Sequence, residues 1–222
     1  MLSATEYYML VASLPHMPRT FLVERVPISQ SRLAERLKLL SPSDADVVSQ
    51  VQRFLQWDRQ PTARSDQEIQ QEYDRLMQSI KNLLVRRIVE YRMDVRTITS
   101  ALRRRRLGMT APTGVGRWVD HIRKNWDQDN FRIVRDHPWV PLVCKSLSTN
   151  DPLEVERLLL QATWAEWTNL ADQYHFTFES VLLYLSRWEI VDRWTRLNES
   201  QGRNRFDILL KEALGEQQHA NW

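Results

Sequence analysis

A chain of 222 residues with 27% charged and 42% hydrophobic side chains is long enough to bury a core and too apolar to stay disordered. Its five glycines are too few for the tight turns of a large all-β fold, and the lone Cys144 excludes an internal disulfide and a cysteine metal cluster. The net charge of +3 is unevenly spread: residues 81–106 hold nine bases against Glu90 and Asp94, while the remainder holds 22 bases against 26 acids.

In chain order, the apolar run at 7–14 follows Glu6 and has no basic start, so it does not read as a secretory signal. Pro15 and Pro18 end it, and at this length strand and buried helical turn are equally compatible. Residues 29–40 predict a short amphipathic helix with Leu33, Leu37 and Leu40 on one face. Ser41 as N-cap with Pro42 at the first helical position opens the next helix, whose inner face is Val47, Val51, Phe54 and Leu55. A polar stretch, RQPTARSDQ, follows.

From Ile69 the apolar positions Tyr73, Met77, Ile80, Leu84, Ile88, Tyr91, Val95, Ile98 and Leu102 recur every three or four residues. This predicts a helix of about 40 residues, some 60 Å long, unless a loop at 78–82 interrupts it. Gly108 terminates it and Pro112 forbids continuation. The stretch GMTAPTGVGRW is the strongest loop composition, and it divides the chain into an N-terminal helical lobe at 1–110 and a C-terminal helical lobe at 111–222. A short helix follows it, then an irregular segment with Pro138 and Pro141. Asp151, Pro152 and Glu154 start a helix that runs to about residue 174. Another carries Val181, Tyr184, Leu185, Trp188, Val191, Trp194 and Leu197; Gly202 marks a turn, and a last short helix ends at Gly215. The fold class is therefore all-α.

No catalytic, cofactor or metal site is expected. The GVG of APTGVGRW lacks the wider glycine spacing and the Lys-Ser/Thr of a phosphate loop, and the third glycine of a dinucleotide fold, and reads as a hinge. His16, His121, His137, His175 and His219 show no metal-ligand spacing, and no context marks a nucleophile, so the chain is not read as an enzyme. Nine tryptophans, Trp57, Trp118, Trp126, Trp139, Trp164, Trp167, Trp188, Trp194 and Trp222, fit core packing, with one or two available as interface anchors.

The basic segment supplies candidate partner-binding residues: Arg86, Arg87, Arg92, Arg96, Arg103, Arg104, Arg105 and Arg106. Four consecutive arginines point around the whole helix circumference and stabilise its carbonyl end. A base-reading helix instead gathers its basic residues along one side. Here Glu90 and Asp94 lie opposite the apolar stripe, within reach of Arg86 and Arg87. A nucleic-acid-binding helical protein using residues 81–106 is the alternative function, behind an acidic protein partner.

The stretch VEYRMDVRTITSALRRRRLGM resembles a signature of the C-type central-stalk component of V-type and archaeal-type ATPases, which is the d-type component in eukaryotes. Asp94, Ile98, Leu102, Arg103 and Gly108 match it, with Thr97 where that family has asparagine. FESVLLYLSRWEIVDRW resembles its tail through Tyr184, Leu185, Glu189 and Ile190. The start, YYMLVASLPHM, is similar to bacterial proteins of unassigned function encoded in V-type ATPase operons without an ordinary C-type component, and this likeness spans nearly the whole chain. The resemblance implies a two-lobed, shortened version of the three-domain helical socket. It also implies a non-catalytic rotor component in ion or proton transport, joining the ATPase shaft subunit to the membrane proteolipid ring. No cofactor and no small-molecule substrate are implied. The chain would be cytoplasmic and peripheral to the inner membrane, touching the membrane only through partners.

Overall fold

The computed structural model describes residues 7–55, 65–112 and 114–219, with side chains to residue 198. Trp57, Trp222 and most of the RQPTARSDQ stretch lie outside the described residues. Every regular element among them is helical: α1 (Tyr8–Ser13), α2 (Gln30–Leu37), α3 (Pro42–Leu55), α4 (Asp66–Ser79), α5 (Leu83–Arg106), α6 (Val119–Lys124), α7 (Val140–Ser148), α8 (Pro152–Ala171) and α9 (Phe178–His219), with an irregular turn at Asp129–Arg132 before α7. Among the described residues no helix is long and apolar enough to cross a membrane.

The helix starts follow their capping residues. Ser29 accepts from the Arg32 N–H, Ser41 Oγ from the Asp44 N–H at 3.2 Å, and Asp151 Oδ1 from the Glu154 N–H at 2.9 Å. The ambiguous opening run is helix, not strand: Tyr7 Oη donates to Asp44 and accepts from the Ser41 N–H at 3.1 Å, which fixes α1 to the head of α3. On α3 the buried residue is Val48, with Val47 half-buried beside the core; Val51, Phe54 and Leu55 are buried as expected.

The long stripe is two helices. Ile80 and Asn82 are extended, with ψ of 117° and 121°, and Asn82 caps α5 by accepting from the Leu84 and Val85 N–H groups at 3.0 and 3.1 Å. The Asn82 amide also donates to Glu179 Oε1 of α9 at 2.7 Å. The periodicity runs unbroken through this corner because Ile80 is buried like its neighbours. The opposite correction holds at the C-terminus, where α9 continues as one helix of 42 residues through Gly202 and Gly215. A glycine inside a helix costs about 1 kcal/mol relative to alanine, too little to end one of that length.

Two apolar clusters organise the fold. The first joins α1–α4, the first half of α5, the later part of α8 and α9 around Phe21, Phe54, Val85, Trp167, Leu183 and Val191. The second joins the second half of α5 through Ile98, Ala101 and Leu102 to Ile122, Phe131, Val140, Val143 and Val155. Both clusters draw on residues before and after position 110, because α5 and α8 run from one into the other. Trp188 Nε1 donates to the Ile28 carbonyl at 2.8 Å and ties α9 to the segment before α2.

Candidate functional site

The eight candidate arginines occupy three settings. Arg92 and Arg96 are half-buried within the helix packing. Arg92 faces Glu189, the resemblance residue on α9, whose carboxylate also accepts from Gln52 Nε2 at 3.3 Å. Desolvation lowers the Arg92 pKa and raises that of Glu189, and each charge opposes the shift of the other.

Arg86 and Arg87 border a cleft of about 980 Å³ together with Glu90, Arg117, His137 and Glu166. Arg87 is spent on α8, its Nη2 2.7 Å from Glu166 Oε1. The pairing expected along α5 is absent: Asp94 turns inward, only 1% exposed, and binds Arg117 through Nε at 3.1 and 3.0 Å and Nη2 at 2.5 Å. Arg117 Nη1 also reaches Glu90 at 3.7 Å. Helix α5 is enclosed on most sides, so its polar face opposes the loop after it rather than its own arginines. The same contact explains GVG. Thr97, which stands where the ATPase family has asparagine, donates to the Val115 carbonyl, and a Cβ on Gly116 would sit 3.0 Å from the Thr97 hydroxyl. With φ at +116°, Gly116 also adopts a conformation that suits glycine. The loop is pinned to α5 at two points.

Sequence reasoning missed Arg117 and His137. No spacing marks either, because each acts through a contact across the fold. His137 is 4% exposed and edge-on to Trp118 and Trp139, with ring centroids 5.0 and 5.7 Å away. Neither ring nitrogen has a hydrogen-bond partner among the described residues, and burial lowers its pKa. An imidazole held neutral in the fold takes up its proton first in the unfolded chain. Stability is therefore full above about pH 6.5 and falls as pH drops from there to the lower folded value. Urea midpoints of the wild type are expected to decline across that window, and His137→Phe to flatten the decline; equal slopes would refute it.

The remaining four arginines gather at the end of α5, which closes in a Schellman turn. The Gly108 N–H bonds the Arg105 carbonyl and the Met109 N–H the Arg104 carbonyl, both at 3.0 Å, with Gly108 at φ +66°. Arg103 is exposed. Arg104 Nε donates to the Thr110 carbonyl at 3.2 Å, Arg105 Nη1 to the Gln128 carbonyl at 2.6 Å, and Arg106 Nη2 to Asn150 Oδ1 at 3.3 Å. Arg105 also lies 5.4 Å above the Phe131 ring. Arg132 Nη2 joins them on Gln128 Oε1 at 2.9 Å. Among the described residues none of the four at 103–106 forms an ion pair with a carboxylate. This is a fan of uncompensated positive charge around one helix end.

The resemblance residues Asp94, Ile98 and Leu102 are buried on α5, and Gly108 makes its terminal turn. Tyr184 is buried in α9, where burial raises its pKa to about 12. Among the described residues no group of three or more His, Cys, Asp or Glu side chains is placed to hold a metal ion.

Fold and site together define an all-helical protein with a basic tip. A family model described as "Protein of unknown function (DUF2764)" matches residues 22–215, and the chain belongs to that family. No curated protein and no solved structure matches it.

Proposed function

We propose that the chain is a non-catalytic central-stalk component of a V-type or archaeal-type ATPase, a shortened, two-lobed relative of the C-type component that couples the rotating shaft to the proteolipid ring. The observation that carries this reading is α9. Its described packing reaches Trp194, edge-on to Phe21 with ring centroids 5.6 Å apart, and the helix continues as one rod for a further 25 residues to His219, about 38 Å at the usual rise. A rotor coupler transmits torque through stiffness and shape, and a long helix held in the core by Leu183, Trp188 and Val191 suits both. The fan at 103–106 is the contact to a negatively charged surface of the assembly. Of the basic segment, Arg87 is neutralised by Glu166 and Arg92 is held inside near Glu189, which weighs against a continuous nucleic-acid track along residues 81–106.

Tagged protein purified from nuclease-treated, detergent-solubilised membranes of its own host is expected to bring down shaft and proteolipid subunits in near-equal amounts. Failure to recover either subunit, with nucleic acid co-purifying once nuclease is omitted, would overturn the reading in favour of nucleic-acid binding.

A further inference from the structure

The end of α5 carries apolar as well as basic groups. Leu107 is 72% and Met109 46% exposed, and a Cβ on Gly108 between them meets nothing within 4 Å, so the turn projects into open space. Behind it, Arg104, Arg105, Arg106 and Arg132 are oriented by neutral oxygens of Thr110, Gln128 and Asn150. Neutral acceptors aim a guanidinium without cancelling its charge. No acidic residue occurs between Asp94 and Asp120. Asp127 and Asp129 flank Gln128, and among the described residues neither is ion-paired with these arginines.

The geometry points to a direct lipid contact: the tip of α5 rests on anionic phospholipid headgroups, with Leu107 and Met109 entering the boundary between headgroups and acyl chains and the surrounding guanidiniums bonding phosphates. Guanidinium donors match phosphate oxygens in pairs. Arginines aimed at three separate segments of the chain suit a field of phosphates better than one carboxylate. Exposed apolar side chains set among cations are the combination that interfacial anchors use. The inference takes from the stalk reading only that the chain works beside a membrane, and it names the negative surface as lipid rather than protein.

Flotation of the purified chain with phosphatidylglycerol vesicles and with phosphatidylcholine vesicles tests it. Binding is expected to the first and not the second, and to weaken as salt shortens the Debye length below about 8 Å. Substituting Arg103→Ser and Arg106→Ser is expected to lower partitioning about fivefold per arginine. Leu107→Ser with Met109→Ser is expected to lower it about tenfold. All four side chains are outside the core clusters, and an unchanged helical circular-dichroism signal controls for folding. No flotation on phosphatidylglycerol, or binding indifferent to the Leu107 and Met109 changes, overturns the lipid contact. Recovery of ATPase subunits without flotation would assign the tip to a protein partner and leave the stalk reading intact. Flotation without those subunits would do the reverse.

Discussion

Replacing Arg117 by methionine is expected to destabilise the fold by about 3 kcal/mol at neutral pH, because it leaves the Asp94 carboxylate buried without its counter-charge. The figure is at the low end for a broken buried pair, since the Arg117 side chain is itself 57% exposed and water already screens part of the attraction. The pH dependence carries a sign. Desolvation holds the Asp94 carboxyl above the ordinary carboxylate range, and the hydrogen bonds from Arg117 pull it partly back. A carboxyl whose folded pKa exceeds its unfolded value binds its proton more tightly in the folded state. Folding is therefore favoured as pH falls through the folded value towards about 3.9. Removing Arg117 raises the folded value further. The deficit of the variant is expected to be largest near pH 7 and to shrink at about pH 5, as protonation removes the buried charge. Asp94→Asn added to the variant is expected to restore most of the loss. Urea unfolding of both variants at the two pH values measures this. A deficit that ignores pH, or a double variant as weak as Arg117→Met, would show that Asp94 is not the group responsible.

The same pair marks where sequence reasoning stopped. Local signals were legible: Ser41 with Pro42, Asp151 with Pro152 and Glu154, and Gly108 after four arginines each report chemistry complete within a few residues. Those signals place helix ends well. The Asp94–Arg117 contact spans 23 residues and a loop, and nothing in either neighbourhood announces the other. Periodicity misled at Ile80 because a corner that stays buried keeps the spacing of a helix. Glycine misled at Gly202 because its small local cost was set against a long helix. The arginine run was legible as a helix end, whereas its fan of contacts to Thr110, Gln128 and Asn150 depended on loops folding back around it.

One of those loops holds the second large effect. Phe131→Ala is expected to cost about 4 kcal/mol, the range for truncating a fully buried aromatic. The ring is 0% exposed in the second cluster, stacked on Trp126 at 5.3 Å with 12° between planes, and covered by Arg105. Its carbonyl lies 2.9 Å from His121 Nε2. These contacts hold a backbone that has no local reason to adopt its shape. Asn130, Phe131 and Arg132 have φ of 49°, 53° and 56°, three successive left-handed residues without a glycine. Such a conformation costs about 1–2 kcal/mol per residue other than glycine, with asparagine among the more tolerant. Arg132→Gly is therefore expected to act in the opposite direction to Phe131→Ala. Relief of the left-handed strain, less the greater freedom glycine gives the unfolded chain, predicts a gain of about 0.5 kcal/mol. Adjacent substitutions of opposite sign, read from urea midpoints, distinguish a turn imposed by tertiary packing from one that is locally preferred. If Arg132→Gly destabilises as Phe131→Ala does, the turn is held by the Arg132 side chain on Gln128, and the packing of Phe131 is not what imposes its handedness.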